Sequence, residues 1–257
     1  MALDELVDAT QTKTIKIDGS IYSEFGNLIE DNNPLHRDVT YARTKDFRDT
    51  PLFGIYLAGH AEQEMESYSD TNGKEYSMGK MSFQFRKPVY PGDTLSWKIE
   101  KSQNPDEVCI SYSNQDNEGV LTGRVIIGEM SVDFTKGRFI HFSEKRISDW
   151  KKGNFYKLFN RLEKERMPNL LIASLIPSAL LDFSKKRIGK AEGISRSIEI
   201  TIYSKPDIGD YITLVYNLGR TRKFGDIYIS KFRGVCYKDN NPVLSADLTV
   251  GTWDDLS

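Results

Sequence analysis

The chain has 257 residues, with 35 Lys plus Arg against 37 Asp plus Glu and a formal net charge of −2. Interspersed signs leave no electrostatic footprint for nucleic acid or a membrane surface. Apolar residues at 39% with 9 prolines exclude a disordered chain, and the length, long for one domain, suits one fold built from two similar halves.

Cys109 and Cys236 are the two cysteines. Both lie in apolar, strand-like runs where a free thiol behaves as a small hydrophobe, which points to a reducing compartment. Met1 to Ala9 carries Asp4, Glu5 and Asp8 and no basic-then-apolar run, so it does not read as a secretory signal. No stretch approaches the roughly 20 apolar residues of a membrane helix. A cytoplasmic protein without a membrane partner is expected.

Thr14 to Ile17 alternates polar and apolar residues and predicts a short strand closed by Asp18-Gly19. Ser20 is the expected N-cap of an amphipathic helix whose apolar face is Ile21, Tyr22, Phe25, Leu28 and Ile29. Pro34 biases Asn33 away from helical geometry and forces the stop. Val39 to Phe47 suggests another short helix, with Tyr41, Ala42 and Phe47 inward. Pro51 is placed in the first turn of a longer apolar helix through Leu52, Phe53, Ile55, Tyr56, Leu57, Ala58, Ala61 and Met65.

From Met81 to Lys101 two alternating runs flank a turn at Pro88 to Asp93. Glu107 to Tyr112 and Val120 to Phe134 add strands on either side of the turn-rich Asn114 to Gly119. A strand, helices, one central helix and then antiparallel strands describe an α+β fold, a sheet wrapped around one helix.

The order then repeats. A shift of 117 residues lays Pro51 on Pro168, at the head of a second apolar helix from Leu170 to Phe183. Phe83-Gln84-Phe85 falls on Ile200-Thr201-Ile202, Gly92-Asp93 on Gly209-Asp210, and Cys109-Ile110-Ser111 on Asp226-Ile227-Tyr228. After a six-residue insertion, Val120 to Gly123 and Gly128 correspond to Val243 to Ala246 and Gly251. The expected organisation is a first repeat over 1–139, a connector over 140–166 and a second repeat over 167–257. The connector is basic, with Phe155, Leu158, Phe159 and Leu162 as a helical stripe. Its basic residues read first as a solvated face, with contact to a ligand's phosphates as the functional alternative.

The chemistry concentrates in Asp31-Asn32-Asn33-Pro34-Leu35-His36. Asp31 and His36 are five apart across a proline, so they converge through a turn rather than on a helix face. A carboxylate and an imidazole whose pKa values are tuned toward neutrality suit the paired proton transfers of adding water to, or removing it from, a double bond. Asp and Asn-Pro are also ordinary turn residues, and on these residues alone the two readings stand level.

The wider pattern is Phe25-(x5)-Asp31-Asn32-Asn33-Pro34-Leu35-His36-(x5)-Ala42, followed by Pro51-Leu52-Phe53-Gly54. It resembles the signature of the MaoC-like (R)-specific enoyl-CoA hydratases, or hydratase 2, and their double hot-dog members. The resemblance implies a duplicated hot-dog fold with Asp31 and His36 catalytic and Asn33 orienting the site. It also implies that the Gly54 backbone N–H serves the thioester oxygen, while Gly54 on its own reads as a close packing position. Leu35 and Phe53 are candidate substrate contacts. Two positions depart from the pattern: Glu30 where the family has Gly, and Phe53 where it has His.

The shift carries Asp31 to Ser148 and His36 to Gly153, so the second repeat lacks the chemistry and is expected to complete the core and the acyl tunnel. The expected activity is reversible hydration of a trans-2-enoyl-CoA to a 3-hydroxyacyl-CoA, with acyl-CoA, or an acyl group on acyl carrier protein, as the partner. No cofactor is expected beyond the coenzyme A of the substrate. A hot-dog acyl-CoA thioesterase and a non-catalytic acyl-thioester-binding subunit are the alternatives. A homodimer is only a weak expectation, because the duplicated chain already supplies both halves. His60-Ala61-Glu62 lacks the cysteine pair a zinc deaminase needs, and His36, His60 and His141 show no metal-ligand spacing.

Overall fold

The computed structural model describes residues 12–71, 78–130, 141–146, 168–190, 192–207 and 210–256. The first repeat holds β1 (Lys13–Lys16), α1 (Ser20–Leu28), a 3-10 turn (Pro34–His36), α2 (Val39–Arg43), α3 (Gly54–Thr71), β2 (Met78–Phe85), β3 (Thr94–Lys101), β4 (Glu107–Ser113) and β5 (Gly119–Ile127). The second holds β6 (His141–Arg146), α4 (Asn169–Ala173), α5 (Leu175–Ile188), β7 (Ile194–Ile202), β8 (Tyr211–Leu218), β9 (Arg222–Phe224), β10 (Ile227–Lys238) and β11 (Asn241–Thr252). All strands join one antiparallel sheet in the order β1-β3-β4-β5-β2-β7-β11-β10-β8-β6, with β9 on β10. This is a double hot dog.

Alternation in sequence becomes alternation of burial. Along β3, Leu95, Trp97 and Ile99 are buried between the outward Ser96, Lys98 and Glu100. The sheet wraps α3, so even the polar flank of that helix is enclosed. Glu62, Gln63 and Glu64 are buried beside Ala58, Ala61 and Met65.

The halves meet through β2 and β7. Ser82 pairs with Glu199, the residue 117 further on, and Met81 with Ile200. Each strand thus faces its own repeat equivalent across a local two-fold axis. β3 and β8 keep the same offset, Thr94–Lys101 against Tyr211–Leu218.

The next strands do not. Ile99 pairs with Ile110, whereas its equivalent Tyr216 pairs with Gly234, so the offset has grown to 124. The insertion therefore lies before β10, seven residues long, and not after it. The turn into β11 then loses one residue, since Ile110 pairs with Gly123 and Gly234 with Ala246. Sequence similarity lays Ile110 on Ile227, seven residues from its pairing equivalent Gly234; that odd slip matches an inward residue of β4 to the opposite face of β10, where the apolar Ile227 imitates it.

Other expectations shift locally. Ser20 is the first residue of α1 rather than its cap; Gly19 is the N-cap, and Asp18 Oδ1 accepts the Ser20 N–H at 2.9 Å. α2 ends at Arg43, and α3 begins at Gly54, leaving Pro51 in the extended entry to the helix. Within the stretch read as connector, His141–Arg146 forms β6 on the edge of β8. The expected helical stripe from Phe155 to Leu162 and the end of the strand expected at Phe134 lie outside the described residues. Cys109 and Cys236 are free and sit in β4 and β10. No helix among the described residues is long and apolar enough to cross a membrane.

Candidate active site

α1 ends in a left-handed cap that aims Asp31. Glu30 takes φ 57°, the Glu30 N–H bonds Asn27 O at 3.3 Å and the Asp31 N–H bonds Gly26 O at 2.9 Å. These two bonds make a Schellman motif, with Glu30 in the position that usually holds glycine. The departure at residue 30 is thus one of backbone conformation. Asp31 Oδ1 then accepts the Asn33 N–H at 2.8 Å.

Asn33 holds the turn in both directions. Its Oδ1 accepts the Leu35 N–H at 3.1 Å and caps the 3-10 turn, while its Nδ2 donates to Gly193 O of the second repeat at 2.7 Å. Arg37, which the sequence reading passed over, clamps the same loop. Its Nε donates to Asp31 O at 2.9 Å, and Nη1 and Nη2 donate to Asn27 Oδ1. A Cβ on Gly26 would sit 2.7 Å from that guanidinium, so the clamp needs glycine there.

His36 is 8% exposed, and its Nδ1 lies 2.7 Å from Pro51 O. A carbonyl only accepts, so Nδ1 carries the proton and neutral His36 keeps the lone pair on Nε2. Phe53 packs against the imidazole in a tilted contact, ring centroids 4.2 Å apart, with Phe25 behind it at 5.6 Å. An aromatic ring here dries the back of His36.

His36 and Gly54 border one cavity of about 460 Å³, walled by both repeats. Leu52, Leu57, Phe85 and Val89 line it, with Phe85 against Gly54, and so do four cations, Lys45, Arg86, Lys87 and Arg196, together with Asp46 and Asp226. Gly54 begins α3, and its N–H has no hydrogen bond among the described residues. The close packing expected there is present as well: a Cβ on Gly54 would meet the Phe85 ring at 2.9 Å. Leu35 and Phe53, expected as substrate contacts, are buried behind the cavity and form none of its wall. Asn33 is likewise an internal brace, and Asp31, 7% exposed, is buried without lining the cavity.

Burial dominates the electrostatics. It raises the Asp31 carboxyl above its ordinary value, against the lowering influence of His36, the Asn33 N–H and Arg37. It pulls His36 below its ordinary value, against the raising effect of Asp31. The two groups feel each other, and each is pushed toward its neutral form.

The second repeat carries the loop rather than a second site. Beside Gly193, Glu192 accepts the Tyr41 hydroxyl at 2.5 Å and the Trp253 N–H at 3.3 Å, fixing α2 from across the two-fold. The second helix start is blocked. Glu62 of α3 accepts the Asn169 N–H at 2.7 Å and the Leu170 N–H at 2.9 Å, so an internal carboxylate fills the donor end of α4. By the 117-residue offset, the residue equivalent to Glu62 is Ala179, which leaves the Gly54 end without such a plug. His60 is satisfied by Tyr112 Oη at 2.8 Å and stays out of the cavity. Among the described residues no group of three His, Cys, Asp or Glu side chains is placed to hold a metal ion.

Residues 4–118 match the MaoC like domain family. Over 107 residues the chain is 32% identical to the peroxisomal multifunctional enzyme type 2 of Mus musculus, a match covering 41% of this chain and 13% of that protein. A solved MaoC-like dehydratase superposes with a TM-score of 0.72 at 11% identity, covering 97% of this chain and 99% of the other. A conserved hypothetical protein of Mycobacterium tuberculosis described as a double hotdog fold gives 0.74 at 9% identity, covering 98% of each. At those identities the two structures speak to the fold alone.

Proposed function

We propose that this chain, whose first repeat carries a MaoC-like domain, reversibly hydrates a trans-2-enoyl thioester to a 3-hydroxyacyl thioester. The observation that carries the reading is His36. Its Nδ1 proton is committed to the Pro51 carbonyl, its neutral form is favoured, and it borders a cavity that starts at the unused Gly54 N–H. Nε2 of His36, backed by Asp31, takes a proton from water as the oxygen adds to the β-carbon. The pair returns a proton to the α-carbon and ends as it began, with OH and H both derived from water. Charge that builds on the thioester oxygen meets the Gly54 N–H and the start of α3. A donor so placed is worth roughly 2.7–4 kcal/mol in other enzymes.

The chemistry needs no redox group, because no electrons leave the substrate. The four cations on the cavity suit a phosphate-bearing carrier, coenzyme A or the phosphopantetheine of an acyl carrier protein. Loss of enoyl absorbance is the test, run on straight and branched trans-2-enoyl-CoA for wild type, Asp31→Asn and His36→Ala. Each substitution is expected to lower kcat about 10²–10⁴-fold. Wild-type release of free thiol without hydration would sink the reading in favour of thioester hydrolysis.

A further inference from the structure

The seven residues added before β10 form a hairpin that reaches the cavity. β9 pairs with the start of β10, Arg222 opposite Ile229 and Phe224 opposite Ile227, around Gly225-Asp226. Gly225 has φ 60°, as the first position of a two-residue hairpin turn demands. The sheet does not need this hairpin. In the first repeat the same connection is a short turn closed by the Ser102 N–H on Glu107 O at 3.2 Å, and β3 and β4 pair without it.

The hairpin nevertheless displays a large apolar ring. Phe224 is 62% exposed on a three-residue strand whose other members, Arg222 and Lys223, are also exposed. An uncovered aromatic on a sheet edge is a liability unless something uses it. Phe224, Asp226 and Ile227 border the cavity, joined by Trp253 and Phe47, whose rings meet edge to face at 6.3 Å. Leu52, Leu57 and Phe85 border the same cavity as His36 and Gly54. Phe224 and Ile227 of the hairpin add apolar wall to that cavity, against which an acyl group too long for the space beside Gly54 would lie.

We propose that the β9–β10 hairpin is an inserted acyl-selection flap and that Phe224 is a specificity-determining residue favouring long, apolar acyl chains. The proposal rests on the hydration reading for its substrate class. It is tested with the full chain as wild type, Phe224→Ala and Phe224→Leu, by comparing kcat/KM for crotonyl-CoA and trans-2-dodecenoyl-CoA. Phe224→Ala is expected to lower the dodecenoyl-to-crotonyl ratio at least about tenfold, the scale at which a hydrophobic pocket reads one or two methylenes. Phe224→Leu is expected to fall between. A ratio unchanged within about twofold overturns the proposal. So does an equal loss on both substrates, which would put the ring against the common carrier arm.

Equilibrium binding of butanoyl-CoA and dodecanoyl-CoA reads the same ratio without chemistry. A wild type that hydrates neither enoyl thioester therefore removes the proposed reaction while the binding ratio still decides the flap. Unchanged melting of the variants separates selection from misfolding.

Discussion

Glu30→Gly is expected to make the protein more stable. Glu30 is exposed and held at φ 57°, where the Cβ of an L-residue crowds the backbone at roughly 1–2 kcal/mol. Glycine removes that penalty and returns about 0.5–1 kcal/mol through the freer unfolded chain, leaving a net gain of about 0.5–1 kcal/mol. Alanine is the control. Both substitutions delete whatever the Glu30 side chain contacts, so the difference between them isolates the backbone. The assay is urea unfolding at constant slope, with the glycine midpoint above both wild type and Glu30→Ala. Thermal melting should rise by about 1–4 °C for a chain of this size. Since the Asp31 N–H bond to Gly26 O is retained in glycine, kcat should not move. Equal stabilities for the alanine and glycine variants would refute the argument from backbone conformation.

Asn33→Ala strands the Gly193 carbonyl and the Leu35 N–H in a buried turn, at about 1–3 kcal/mol each. A drop of about 2–4 kcal/mol in unfolding free energy should accompany loss of hydration, and Asn33→Asp should not rescue it, because a carboxylate has no proton for Gly193. Burial, and then Glu66 beside it, pushes Glu62 up to about 8 from an ordinary 4.5. Between those values the unfolded chain gives up a proton that the folded chain keeps, so stability falls as pH rises. The slope is at most roughly 1.4 kcal/mol per pH unit. Glu62→Gln should flatten that fall, and unfolding series at pH 5 and pH 8 that differ as much in the variant as in wild type would contradict it. For catalysis, the lowered His36 places the acid limb of kcat/KM below the ordinary imidazole value of 6.5, and an acid limb above it would remove His36 as the base.

Much of the fold was legible because periodicity reports which face of an element is buried. Leu95, Trp97 and Ile99 declare a one-sided strand, and the 117-residue recurrence declares two equivalent halves. The site was legible as a motif because Asp31, Asn33, Pro34 and His36 all lie within six residues, where chain geometry alone forces them into one turn. Periodicity names a face but never the partner across it. The Gly193 carbonyl is 160 residues from Asn33, and Glu62 is 107 from the helix start it blocks. The sequence match misplaced β10 by seven residues, an odd slip that exchanges its two faces, because Ile227 and Ile229 make the outward face at its start as apolar as the inward one. Only hydrogen-bond register placed the extra residues in a hairpin beside the cavity. Phe53 reads in sequence as a pocket residue next to Gly54, yet it lies in the segment before α3 and its ring packs against His36. The sequence by itself determined the sheet wrapped on a helix, its duplication and the Asp31–His36 turn. The tertiary structure decided what braces that turn, which repeat start is open and what borders the cavity, because those contacts join residues that only folding brings together.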